Sequence, residues 1–153
     1  MTIEVASTIA ACVSAICAAI ALIISAHNER HSRLNELRWA TIEAFHTVQR
    51  ETLDNLLPID KSNAQTIISE MEDNEKCRKA YAGYIVLLAR IECLSVGIYK
   101  KVYDKELLYD LGGQHLISVY EQVEIIIKNE RENVNQTKAF AYFEKLISEF
   151  KTR

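Results

Sequence analysis

The sequence predicts an all-α fold, and three observations carry that prediction. Only one Pro and four Gly occur in 153 residues, too few for a turn-rich β architecture. Apolar side chains make up 49% of the chain, and over most of it they recur every three to four residues, the helical period. No alternating run bounded by turn residues marks a strand, and the β-branched tract Val123 to Ile127 sits in a charged, helical neighbourhood. Charged residues at 25% place the chain among packed proteins rather than disordered ones. A net charge of −3 argues against nucleic acid as the main partner, which usually needs a basic face.

The first element is an apolar head. No Lys or Arg precedes Arg30, and Glu4 is the only acid before residue 27. Val5 to Ser25 contains no charge, no Pro and no Gly. As a helix it spans roughly 31 Å, which matches a hydrocarbon core of about 30 Å. A helix apolar all round otherwise needs a large protein to surround it, and the rest of this chain is small. The expectation is therefore a single N-terminal transmembrane helix followed by a small helical bundle. A signal peptide is the competitor, but Met1 to Glu4 lacks its basic n-region and the apolar run is long for an h-region. Arg30, Arg33 and Arg38 follow the span, so the positive-inside rule puts the N-terminus outside and the body in the cytoplasm. The expected partition is an anchor over residues 1–26, a juxtamembrane stalk that joins the bundle over 27–57, and the bundle proper over 58–153. The span also carries small residues at four-residue spacing, Ala6, Ala10, Ser14 and Ala18 on one ridge and Ala11, Ala15 and Ala19 on another. Such ridges let helices approach in lipid, which makes a homo-oligomer an expectation.

The body follows helix by helix. Leu34, Leu37, Ile42, Phe45, Val48, Leu53 and Leu56 continue the helical period from the span up to Pro58. Asp60 or Ser62 caps a short helix through Met71, with Ile67 and Ile68 inward. After the Asp73-Asn74 turn, a helix from Glu75 to Tyr99 carries the broadest apolar stripe, Tyr81, Tyr84, Ile85, Leu88, Ile91, Leu94 and Ile98, widened by Val86, Leu87 and Val96, which marks it as the central helix. Asp104 caps a short helix that Gly112-Gly113 stops. A helix from Gln114 to Glu132 turns Leu116, Tyr120, Val123 and Ile127 inward. Asn135 or Thr137 opens a last helix bearing Phe140, Phe143, Leu146, Ile147 and Phe150.

Few residues suggest chemistry. His27 and His31 lie at i and i+4, where one face offers two metal ligands, but no third ligand is near and the turn reads as a hydrated interfacial one. Arg30 and Arg33 beside it give a weak attraction to anionic headgroups. Trp39 is either an interfacial anchor or a core residue. Glu92, on the most apolar helix, needs a partner, with Arg131 or Arg38 expected, so Glu92 and Arg131 are the buried polar candidates. Asp110, Glu121 and Glu124 read as solvated charge. No phosphate-binding, nucleotide-binding, nucleophile-elbow or kinase motif is present, so no cofactor and no catalytic residue is assigned. Cys12, Cys17, Cys77 and Cys93 lack ligand-like spacing and read as reduced thiols. The Asn135-Gln-Thr137 sequon is irrelevant on the cytoplasmic side.

Leu34 to Phe45 and the stretch from Ile85 to Phe150 resemble a family of small bacterial and phage proteins known only as a domain of unknown function. The matching elements are Glu92, Gly97, the Asp104-Lys-Glu-Leu107 start, Arg131 and Phe143-Glu144-Lys145-Leu146. The resemblance implies one N-terminal transmembrane helix with a short all-helical cytoplasmic region, here at a bacterial inner membrane, and brings no activity with it. The expected function is a single-pass, membrane-anchored interaction module with the lipid bilayer and an unidentified protein as partners. A role in phage exclusion or an abortive response is one concrete version. The alternatives are a self-associating pore-type assembly, and a hydrolase or nucleotide-sensing bundle using Glu92 and Arg131.

Overall fold

The computed structural model describes residues 3–50, 61–133 and 138–153, with side chains of the first stretch from residue 18 onward. Five helices account for it: α1 (Ile3–Val48), α2 (Lys61–Glu70), α3 (Glu75–Tyr99), α4 (Lys105–Asn133) and α5 (Ala141–Lys151). No strand occurs among the described residues, and the chain is an all-α helical bundle. Two compact units divide it, residues 1–37 and residues 38–153.

The first unit is the leading part of α1, so the apolar run and the stretch after it form one helix, as the unbroken period predicted. Every side chain from Ala18 to Glu36 is exposed. The ridge positions Ala6, Ala10, Ala11, Ser14 and Ala15 lie outside the described side chains, while Ala18 and Ala19 are exposed.

The second unit is the bundle. α3 packs against α2, α4 and α5, and α4 packs against α2 and α5. The last turns of α1 contribute Thr41, Phe45 and Val48 to the buried core, so this unit starts at Arg38. The start of α3 is set by Asn74, whose side-chain oxygen accepts from the Lys76 and Cys77 N–H groups at 3.0 and 3.4 Å. Its stripe buries Tyr84, Leu87, Leu88, Ile91, Leu94 and Ile98. Val86 departs from the expected stripe. It is 50% exposed, because it sits about 100° round the helix from the buried Leu87. α3 closes at Tyr99 with Lys101 in the left-handed region and the Val102 N–H donating to Gly97 O at 2.8 Å. Gly97 is needed there because a Cβ would run into the Tyr103 ring.

Asp104 caps α4 as its spacing predicted, accepting from the Glu106 and Leu107 N–H groups at 3.0 and 3.1 Å. Gly112 does not stop the helix. α4 runs on to Asn133 with a kink at that residue, and the Phe45 ring of α1 fills the space a Cβ would need. The two helices expected on either side of Gly112-Gly113 are thus one kinked element. Pro58, Asp60, Asn135 and Thr137, assigned as helix boundaries from sequence, lie outside the described residues.

Candidate functional site

The two polar residues singled out on α3 and α4 meet at the start of α5, and neither in the way the sequence suggested. Glu92 pairs with neither Arg131 nor Arg38 as expected. Its two carboxylate oxygens accept from the Tyr142 and Phe143 N–H groups, at 3.1 and 2.8 Å. The first N–H groups of a helix have no partner within it, and the helix dipole favours an anion there. α5 begins on Phe140 in the left-handed region with no side-chain cap of its own, so a carboxylate from another helix supplies it. Arg131 holds the same turn from the other side. Its Nε and Nη2 donate to Ala139 O at 3.0 and 2.9 Å, and Nη2 reaches Glu144 Oε2 at 2.8 Å. Tyr120 donates to the other Glu144 oxygen at 3.3 Å and packs edge-on against Phe143. Both Glu92 and Arg131 are half-buried rather than fully buried. Among the described residues, the fully buried polar side chains are Thr41 and Ser95. Thr41 Oγ1 accepts from the Asp104 N–H at 2.7 Å and Ser95 donates to Ile91 O at 2.8 Å. Arg38 goes to Asp104 at 3.5 Å.

Most residues that carried the family resemblance are therefore helix fasteners. Glu92, Arg131, Phe143 and Glu144 form the α5 clamp, Gly97 admits Tyr103, and Asp104 ties α4 to α1. Three tyrosines lie over carboxylates around this core. Burial first, and Glu130 at 2.6 Å second, push Tyr81 up to about 12. Burial, with Glu144 and Glu124, pushes Tyr120 up to about 12. Burial and the Glu149 carboxylate raise Tyr99 as well. Glu149 is held below its ordinary value, chiefly by its contact with Lys105.

Among the described residues, hollows flank α1 in the bundle. A groove of about 460 Å³ runs between α1 and α3, walled by Ala44, Val48, Val86, Ala89 and Leu94, with Arg90, Cys93 and Tyr103 on it. Its size falls in the range of small-molecule pockets. Nothing in the sequence pattern announced it, because its walls come from residues some forty positions apart. A more polar hollow of about 340 Å³ is lined by Glu43, His46, Thr47 and Arg50. Neither holds Glu92 or Arg131. Among the described residues no three His, Cys, Asp or Glu side chains converge as a metal site; His27 and His31 face each other edge-on at 6.4 Å, and His31 Nδ1 also lies 3.4 Å from the Asn35 amide nitrogen.

Trp39 is 71% exposed, which removes the core alternative for it. Arg30 and Arg33 are exposed, and Arg33 pairs with Glu29 at 2.8 Å. Among the described residues, α3 is long and apolar enough to cross a membrane, with mean hydropathy 1.5 over an 18-residue window. That helix is internal, and 44% of the window is buried among its neighbours, as for the core helix of a bundle.

No curated protein and no solved structure matches the chain. A family model does match, over residues 7–150, and with nearly its whole length covered the chain belongs to the family described as Domain of unknown function (DUF4760).

Proposed function

We propose that the chain is a single-pass membrane protein whose leading helix crosses a bacterial inner membrane and tethers a helical interaction module on the cytoplasmic side. The observation that carries this reading is the exposure of Ile20, Leu22, Ile23 and Ile24, at 51, 71, 70 and 54%, at the end of an uncharged run. Burying each such side chain is worth about 1.5–3 kcal/mol, and lipid can supply the burial. Arg30 and Arg33 support the orientation, with the N-terminus outside. The apolar groove between α1 and α3 supports an interaction role for the body. Glu92 and Arg131 are engaged in holding α5, which favours the interaction reading over the hydrolase alternative built on them and nearby acids.

Cys93 is exposed and free, so it reports topology. In a variant with Cys12, Cys17 and Cys77 replaced by Ser, membranes washed with alkaline carbonate retain the protein. A membrane-impermeant maleimide then labels Cys93 in inside-out vesicles and not in intact spheroplasts. Release into the carbonate supernatant overturns the anchor, and labelling in intact spheroplasts overturns the orientation.

A further inference from the structure

We propose that the turns of α1 just after the apolar run form a contact for anionic lipid headgroups that tightens as pH falls. The inference rests on the membrane reading above and names the chemistry at its edge.

His27, Arg30, His31 and Leu34 stand at i, i+3, i+4 and i+7, so they share one face of the helix. All four are exposed, Leu34 at 53%. Ile20 and Ile23, seven and four positions before His27, continue the same face into the apolar run. The two acids of this stretch point away. Glu29 lies two positions and Glu36 nine positions after His27, each about half a turn round. Both are engaged on that opposite side, Glu29 by Arg33 at 2.8 Å and Glu36 by the Ser32 hydroxyl at 3.5 Å. Arg33 is therefore spent on the back of the helix. Arg30 makes no ion pair among the described residues and stays on the front.

The charges decide the partner. Between residues 26 and 37, Arg30 and Arg33 balance Glu29 and Glu36, giving a net charge of zero with neutral imidazoles. Protonating His27 and His31 takes it to +2, all of the gain on the front face. Histidine is the side chain that changes charge between about pH 5 and 8. The two rings lie 6.4 Å apart beside Arg30, so two imidazolium charges repel each other and the guanidinium. An anion against that face removes the penalty, and the carboxylates of this stretch are on the other side. Asn35, whose amide nitrogen sits 3.4 Å from His31 Nδ1, turns its oxygen to the ring once that nitrogen carries a proton. A bilayer phosphate fits best, because the apolar side chains that continue the face fix where the hydrocarbon ends. Each added cation near an anionic surface strengthens attraction roughly fivefold.

The full chain in nanodiscs of phosphatidylcholine, with and without phosphatidylglycerol, tests this. Ring resonances of His27, His31 and, as internal control, the exposed His115 of α4 are followed against pH. At a fixed, mildly acid pH, phosphatidylglycerol is expected to move the His27 and His31 ring resonances towards their acid-limit positions and to leave those of His115 in place. Phosphatidylglycerol retained per chain, counted by native mass spectrometry, is expected to rise several-fold from neutral to mildly acid pH. His27→Gln/His31→Gln loses that rise and Arg33→Gln keeps it. Identical His27 and His31 ring resonances in the two lipids at that pH, or an unchanged rise in the double variant, overturn the contact. A chain that leaves the nanodiscs altogether overturns the membrane reading and this one with it.

Discussion

Isoleucine meets opposite fates in the two units. Ile23 is 70% exposed, whereas Ile91 and Ile126 are wholly buried. The residue is the same and each copy stands on an α-helix; the difference lies in what its neighbours offer. In the bundle each apolar stripe is one side of a helix whose other side is charged, and stripes close on one another. In the leading unit the apolar run has no charged face, and its described side chains from Ala18 to Ile24 are exposed. In a small bundle, an apolar stripe with a polar opposite face lets helices assemble around it. On the membrane reading proposed above, lipid takes the place of that packing partner.

Several substitutions break or sharpen this contrast. Phe143→Ala empties the middle of the clamp and is expected to destabilise the bundle by about 3–5 kcal/mol, read as a shift in its denaturation midpoint. Ile23→Ala, of comparable hydrophobic loss, should leave that midpoint where it was. Ala15→Lys, at the middle of Val5–Ser25, costs about 3 kcal/mol of membrane insertion and should move protein from the membrane pellet to the supernatant without changing bundle stability. Gly112→Ala drives a methyl into the Phe45 ring and should cost about 1–3 kcal/mol. Glu92→Ala uncaps α5 for about 1–2 kcal/mol, and amide hydrogen exchange at Tyr142 and Phe143 should accelerate ahead of the rest.

The smallest effects are those of pH. The Glu149 carboxyl is depressed by Lys105, so it adds stability that is present above the ordinary glutamate value of 4.5 and lost as pH falls through the lower folded value. Glu149→Gln should flatten that acid limb. Tyr81 and Tyr120 are raised, so their contribution is complete below 10.0 and lost as pH climbs towards about 12. Tyr81→Phe should make the alkaline limb shallower, and tyrosinate absorbance in the wild type should lag that of the unfolded chain.

Local signals read well where the cause was local. The bounds of α3 follow from Asn74 and from an unbroken stripe, and Asp104 announces α4 by its place three residues before Leu107. Glu92 was visible as an oddity on an apolar helix, but its partners are N–H groups 50 and 51 residues away, which no spacing rule reaches. Gly112 carries the signature of a helix stop and is instead the place where Phe45 needs room. Val86 sits in an apolar stretch and faces outward into the groove, because α1 and α3 leave space between them at that level.

Composition and period alone settled that the chain is helical, that its first residues are uncharged and apolar, and where the central helix α3 runs, because propensity and hydrophobic spacing act over a few residues. Only the tertiary structure decided which helices touch, that α4 bends rather than ends, that a carboxylate of α3 caps α5, and that a groove opens between α1 and α3. Those outcomes depend on groups brought together from distant parts of the chain, and a buried backbone N–H takes whichever acceptor the packing delivers.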